Sequence, residues 1–515
     1  MVPTPRIVSN TSLKLLASTR QSALYEVATE TGYVLGAPLV AHLKGDNRTV
    51  VGYDAGFLLG HRAQQGYEDF MAAMFGGKDN STTVLIEKFT DFLWSEFLTR
   101  QLPPEYDQEL DAAGRGGDAA GVPRVRGADV GQLQRRFITL GSLPADPVNI
   151  VSLLEQELEE GLPRWLARSI NDVVYLLEVL LGAKTPPLPN NGSFPYHPHG
   201  GGSDAKRPGH CDFFAAWGTR TEGGRLLGSR NLDWNKDTGV AKSKLVAVYD
   251  IAGHHPYATV GFAGAFAGAL AGMSGAGLAV SQANLDNSQV SFDGFAWPLR
   301  LRAVLERAGS LRDALSFWNA TNNTAAFNYM VASASEPAAA ALETCARYTA
   351  AFRDDDAREA AAVWTWPGNA TRPTHIGAPM REAVWRSNHA LDPVLMRTQE
   401  PLWPDTVWRY QTLHNQIAQY PSHSGAVMTA PDAVKIAALL GIKGRAEPAD
   451  YFKACDSATD PPDFAAGDHV MSIVYDPSKA RLYAAWEDGT GTKGWRPAAC
   501  NAYVELDLSP WFRKK

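Results

Sequence analysis

The segment KTPPLPNNGSFPYHPHGGGSDAKRPGHC, residues 184–211, constrains this chain more than any other stretch. Proline removes a backbone donor and fixes φ, glycine carries the largest ordering entropy, and asparagine and serine compete for backbone hydrogen bonds. No helix or strand tolerates all four at that density, so Lys184–His210 reads as an accessible linker. It also separates two kinds of pattern. Before it the spacing is helical: Val84, Leu85, Phe89, Phe92, Leu93, Phe97 and Leu98 share one face of Thr82–Arg100. A second helical run, Ile150–Leu181, contains Pro163, which kinks or breaks it. Between the two, AAGRGGDAAGVPRVRGAD (112–129) reads as an exposed loop.

After the linker the pattern changes to short strands. Asp212–Trp217 and Arg225–Leu232 flank Arg220-Thr221-Glu222-Gly223-Gly224, a hairpin signal. Strands are predicted at Leu245–Ile251, Phe266–Met273, Leu278–Asn284, Asn328–Ala334, Ala338–Thr344, His469–Tyr475, Arg481–Trp486 and Ala502–Leu506, with helices at Pro298–Ser316 and Pro431–Leu440. That alternation predicts an α+β core with helices layered on antiparallel sheets. Gly264, Gly268 and Gly272 imitate a membrane GxxxG face, but glycine, alanine and serine dilute the hydrophobicity and Met273–Gly277 marks a turn, so no membrane span is expected. The glycine spacing also misses the dinucleotide fingerprint.

A formal net charge of −7 over 515 residues, with the signs mixed and no basic stripe, argues against a nucleic-acid partner. The run Arg353–Asp356 reads as a solvated loop. His197, His199 and His210 lack ligands at any recognised metal spacing, so neither a metal nor a cofactor is expected. Seven Asn-x-Ser/Thr sequons, at Asn10, Asn47, Asn80, Asn191, Asn319, Asn322 and Asn369, favour a glycoprotein of the secretory route, lysosomal, vacuolar or extracellular. The stretch MVPTPRIVSNTSLKLLAS lacks the apolar core of about 7–15 residues that a signal peptide carries. Four cysteines, Cys211, Cys345, Cys455 and Cys500, allow two bridges or one.

Cys211 stands where the linker ends and a strand begins, so a cut before it would create a new N-terminus. A cysteine with its own free α-amine needs no separate base, because the amine can take the thiol proton. Arg230 and Asp233 end the next strand, and an antiparallel hairpin would return them to the start of the first. That would place a guanidinium near the sulfur and a carboxylate near the amine.

Cys211, then Gly228-Ser229-Arg230-Asn231-Leu232-Asp233-Trp234, then Leu270–Val280 with its Gly-Met-x-x-x-Gly-Leu-Ala-Val run, resembles the N-terminal nucleophile (Ntn) hydrolases of the penicillin acyltransferase, choloylglycine hydrolase and acid ceramidase type. The resemblance runs from about Cys211 to Tyr410. It implies a four-layer αββα sandwich matured by autoproteolysis at His210–Cys211, and cleavage of a linear amide through a Cys211 thioester. It further implies Arg230 and Asp233 beside the thiol and amine, Asn284 and Asn388 as oxyanion donors, and Arg409 as a distal active-site arginine. The implied organisation is a mostly helical pro-segment (1–183) retained as a partner chain, a linker (184–210) and a catalytic core (211–515). With Cys211 reserved for catalysis at most one bridge remains, expected as Cys455–Cys500. The long helical block is closer in size to that of the phospholipase B-like lysosomal proteins, which leaves ester cleavage, acyl transfer to an amine, or a non-catalytic glycoprotein as alternatives. Acyl chain, leaving group and oligomeric state stay open.

Overall fold

The turn after Trp217 folds as its glycines require: Gly223 and Gly224 have φ of +66° and +70°, a region open to glycine at little cost. It closes a hairpin between Cys211–Gly218 and Gly224–Trp234 in which Ala216 pairs with Leu227 and Cys211 with Leu232. Phe213, Phe214, Leu226 and Leu227 are buried, and at about 1.5–3 kcal/mol per large apolar side chain they anchor the hairpin in the core. The structure is a computed structural model that describes residues 5–75, 81–143, 211–234, 238–285, 287, 289, 291, 293–364, 374–399, 404–421, 423–440, 468–490 and 494–512.

The hairpin belongs to a seven-stranded sheet. From one edge to the other its strands are Ile7–Val8, Tyr503–Asp507, Arg481–Trp486, Asp468–Asp476, Gly224–Trp234, Cys211–Gly218 and Ala383–Arg386. The second sheet has ten strands, in the order Tyr348–Phe352, Ala338–Cys345, Phe327–Ser333, Leu278–Asn284, Ala271–Ser274, Tyr257–Phe262, Lys244–Ile251, Leu39–Gly45, Ala23–Val27 and Leu13–Ser18. The sheets meet face to face: Ser281 Oγ donates to the Ser229 carbonyl (3.1 Å) and Tyr475 Oη to that of Val280 (3.2 Å). Helices cover the outer faces. Ala430–Leu440 lies on the seven-stranded sheet, where the Ala437 carbonyl accepts from Asn231. On the ten-stranded sheet, Trp318 of Leu311–Asn319 packs on Tyr329, and Arg302 of Trp297–Arg307 donates to Tyr257 Oη. The described residues thus form a mixed α+β protein with two large sheets and a two-stranded ribbon of Val363–Trp364 and Thr374–His375.

The N-terminal part is less purely helical than its periodicity suggests. Its helices, Arg48–Phe75, Ser81–Leu93 with its continuation to Gln101, Pro104–Ala119 and Val130–Ser142, are preceded by four strands. Ile7–Val8 pairs in parallel with Tyr503–Val504 in one sheet, and Leu39–Gly45 in parallel with Leu245–Ile251 in the other. The N-terminal segment is therefore built into both sheets.

Three local expectations are corrected. Residues 112–119 of the supposed loop are helical, because their glycines serve close contact and not flexibility. A Cβ on Gly116 would collide with the Tyr53 carbonyl oxygen, and one on Gly56 with that of Ala113, so the two helices touch backbone to backbone. The strand expected at Phe266–Met273 is only Ala271–Ser274, since a 3₁₀ turn occupies Ala263–Ala265. The helix expected at Pro298–Ser316 is two helices. Ser310 Oγ accepts from Asp313 N and starts the second one. Ile150–Leu181 and Lys184–His210 lie outside the described residues.

Candidate active site

Register decides what faces the sulfur. Cys211 lies opposite Leu232 and Phe213 opposite Arg230; side chains alternate along a strand, so Cys211 and Arg230 share the face turned to the ten-stranded sheet. Arg230 is buried, with Nη2 3.8 Å from Cys211 Sγ. Its Nε donates to the Gln282 carbonyl (3.2 Å) and Nη2 to Gln282 Oε1 (3.2 Å). The backbone of Asp233 also hydrogen-bonds the sulfur. Burial pushes the Cys211 thiol above its ordinary range. Arg230 is the main opposing influence, while the Asp233 carboxylate adds to the rise. Burial wins, so the sulfur rests as a thiol.

The neighbouring strand supplies the next group. Arg386 pairs with Phe213, which brings Asn388, two residues on, beside Cys211. Asn388 Oδ1 accepts from the Cys211 backbone nitrogen (2.8 Å) and from Arg409 Nη2 (2.7 Å), while Nδ2 donates to the Asn284 carbonyl (2.8 Å). Both groups facing the oxygen can only donate, which settles the orientation of this amide. Arg409, from helix Pro404–Ile417, also donates through Nη1 to the Cys211 carbonyl (2.6 Å) and lies 3.5 Å from Asp212 Oδ2. Asn284 ends its strand half-buried, its Oδ1 accepting from Gln282 Nε2 at 3.0 Å.

The structure thus joins Cys211, Arg230, Asp233, Asn284, Asn388 and Arg409 in one connected cluster. His210 lies outside the described residues. Three neighbours escaped the sequence reading. Asp212 turns to the opposite face, where its Oδ1 accepts from Asn231 Nδ2 (2.9 Å); burial pushes its carboxyl up to about 6, against the pull of Arg409. Gln282 links Arg230 to Asn284. His469 pairs with Asp233 across the sheet and accepts from Ala499 N at Nδ1 (3.2 Å). Burial and the charge of Arg230 push its imidazole down to about 3. The position of Asp212, next to Cys211, was the one available signal. A glutamine between a serine and an alanine of a strand, and a histidine at a strand start, carry none.

Elsewhere, Cys211 and Cys345 are free thiols and Cys500 is disulfide-bonded, while Cys455 lies outside the described residues. Asn10, Asn47, Asn319 and Asn322 are exposed; Asn80, Asn191 and Asn369 fall outside the described residues. Among the described residues no cluster of His, Cys, Asp or Glu is placed to hold a metal ion, and no helix is long and apolar enough to cross a membrane. A hollow of about 510 Å³ lies beside helix Pro393–Thr398, lined among others by Ala362, Trp364, Leu391 and Met396. No residue placed around the sulfur lines it, so it is not read as the acyl site.

Residues 219–439 match the family model described as acyl-coenzyme A:6-aminopenicillanic acid acyl-transferase. The matched span holds Arg230, Asp233, Asn284, Asn388 and Arg409, and begins beyond Cys211. An uncharacterized protein from Archaeoglobus fulgidus is 26% identical over 208 residues, 39% of this chain and 33% of the relative, so the alignment spans about a third of that protein's length. Among solved structures, penicillin V acylase from Agrobacterium tumefaciens is similar at 12% identity and a TM-score of 0.29, over 54% of this chain and 83% of that one. A mutant of conjugated bile acid hydrolase from Clostridium perfringens is similar at 10% identity and a TM-score of 0.28, over 58% and 85%. Residues 219–439 of this chain are thus similar to the acyl-coenzyme A:6-aminopenicillanic acid acyl-transferase family.

Proposed function

We propose that the protein is a thiol Ntn hydrolase that matures by cutting its own His210–Cys211 bond and then cleaves a linear amide, of the N-acyl amine or N-acyl amino acid type. The observation that carries this reading is the pairing at Cys211: Arg230 Nη2 lies 3.8 Å from the sulfur, and Asn388 Oδ1 holds the backbone nitrogen of the same residue at 2.8 Å. In maturation the Cys211 thiol attacks the His210 carbonyl carbon, the C–N bond breaks and the nitrogen takes the thiol proton. The resulting thioester is hydrolysed by water, leaving a carboxylate on His210 and a free amine on Cys211.

In turnover the α-amine takes the thiol proton as sulfur adds to the acyl carbonyl, then returns it to the departing amine, and water releases the acyl group from the thioester. The negative charge that builds on the carbonyl oxygen needs preorganised donors, each worth about 3–4 kcal/mol. Asn284 is the first, since its Nδ2 carries no hydrogen bond among the described residues. Asn388 is the second donor only if its Nδ2 leaves the Asn284 carbonyl. In the present geometry it holds the Cys211 nitrogen, and Arg409 holds Asn388. The family's name favours a second reading of the last step, in which an amine replaces water and takes the acyl group.

The two facing sheets with helices outside support the four-layer αββα arrangement, with the N-terminal segment kept as a partner chain by its strands. Four exposed sequons and a bonded Cys500 support a secretory, lysosomal or extracellular glycoprotein; no mass change on glycosidase treatment of secreted protein would count against it. The functional test is mass spectrometry and acyl-amide turnover of Cys211→Ala beside wild type. Wild type is expected to show a fragment beginning at Cys211 and the variant neither fragment nor turnover. Equal fragmentation of both would sink self-cleavage, and equal turnover would sink the thiol mechanism.

A further inference from the structure

An asparagine amide stabilises an oxyanion only with its nitrogen end, and its two ends differ little in size, so the surroundings must choose which end points where. We infer that Gln282 is the positioning residue that makes this choice for Asn284. Gln282 is 2% exposed and bonded at both ends of its side chain: Oε1 accepts from Arg230 Nη2 (3.2 Å) and Nε2 donates to Asn284 Oδ1 (3.0 Å). Arg230 also donates through Nε to the Gln282 carbonyl (3.2 Å), which locks the guanidinium to the strand.

The direction of the whole chain follows from Arg230. A guanidinium has no acceptor, so it can face only the oxygen of Gln282; the Gln282 nitrogen is then left for Asn284, which must answer with its own oxygen. Its Nδ2, without a hydrogen bond among the described residues, is the end left over for an oxyanion. Reversing Gln282 would set an amide nitrogen against the guanidinium and strand a buried donor. Linked bonds of this kind also polarise one another, so the charge beside the thiol strengthens the donor aimed at the substrate. Gln282 acts only through its neighbours, and the inference rests on the thiol-hydrolase reading above.

The test is a double-mutant cycle on the full-length, self-processed protein, using a chromogenic N-acyl 4-nitroanilide and, separately, alkylation of Cys211 by iodoacetamide. Gln282→Met keeps the length and removes both polar ends. It is expected to lower kcat about tenfold with KM within about twofold, and to leave alkylation within about twofold, because alkylation builds no oxyanion. In an Asn284→Ala background the same change should cost less than about twofold. Gln282→Glu can accept from Arg230 but cannot donate to Asn284, so its turnover should fall as the methionine variant's does; it serves if that variant does not fold. Equal losses with and without Asn284, or single variants turning over at the wild-type rate, would overturn the inference. Failure of the underlying reading looks different: Cys211→Ala would then hydrolyse the same anilide as wild type does.

Discussion

Replacing His469 by glutamine should make the protein more tolerant of acid, and the size of the effect can be worked from the site. The His469 imidazole is pushed down to about 3 in the fold, from an ordinary 6.5. Between pH 7 and 5 the unfolded chain therefore takes up a proton that the folded chain refuses, and stability falls by about 2 kcal/mol on this account. Asp212 works in the opposite sense. Its folded carboxyl titrates near 6, above the ordinary 3.8, so over the same interval the folded state gains a proton that the unfolded state does not, adding about 1 kcal/mol as pH falls. The pair together costs wild type about 1 kcal/mol on going from pH 7 to 5. His469→Gln, which can still accept from Ala499 N, should turn that loss into a gain of about 1 kcal/mol, and Asp212→Asn should deepen it to about 2. Urea unfolding at pH 7 and pH 5 reads the difference, and each variant is compared with itself, so any cost of the substitution common to both pH values cancels. An unchanged pH response in His469→Gln would refute the argument that burial holds this histidine neutral.

Two further outcomes follow from charges placed in the interior. Arg230→Met removes the main influence opposing the rise of the Cys211 thiol, so alkylation of Cys211 by iodoacetamide at pH 8 should slow, and an unchanged rate would exclude the guanidinium from thiol activation. Glu109→Gln takes the carboxylate from between Arg48 (2.7 Å) and Arg302 (2.8 Å), all three buried, where the N-terminal helices meet the core; unfolding free energy should drop by about 3–5 kcal/mol, and a loss below about 1 kcal/mol would show the pair to be dispensable.

What could be read from the sequence was what is local. The Cys211 hairpin was legible because its turn glycines and its partner strand lie within about two dozen residues, where pattern and chemistry agree. The N-terminal strands were not, because Ile7 finds Tyr503 and Leu39 finds Leu245; a two-residue strand has no periodicity of its own, and only the sheet beside it makes it one. The glycines of 112–119 failed for a related reason. Glycine lowers helix propensity by about 1 kcal/mol relative to alanine, which is the whole of its meaning until a second helix arrives, and Gly56 and Gly116 sit where a Cβ would collide with that helix's backbone.

At the site the same boundary falls inside single side chains. Charge has a sign that a sequence displays, so the hairpin could bring Arg230 and Asp233 to the sulfur's surroundings by residue type, whereas Arg409 was implied only by the family resemblance. An amide has two ends of opposite character, and which end faces inward depends on every donor around it. Arg409 and the Cys211 nitrogen are both donors, so they turn the Asn388 oxygen toward the Cys211 nitrogen, and Nδ2 is spent on the Asn284 carbonyl. A side chain that the resemblance implies as a donor to the oxyanion is therefore, in this geometry, an acceptor at the Cys211 nitrogen, where the proposed mechanism begins its proton transfer. That is a useful role in its own right. An α-amine acting as base needs one N–H engaged, to hold it still, and its lone pair open to the thiol; Asn388 Oδ1 meets the first requirement, and Arg409, donating to Asn388 and to the Cys211 carbonyl, fixes Asn388 while it does so.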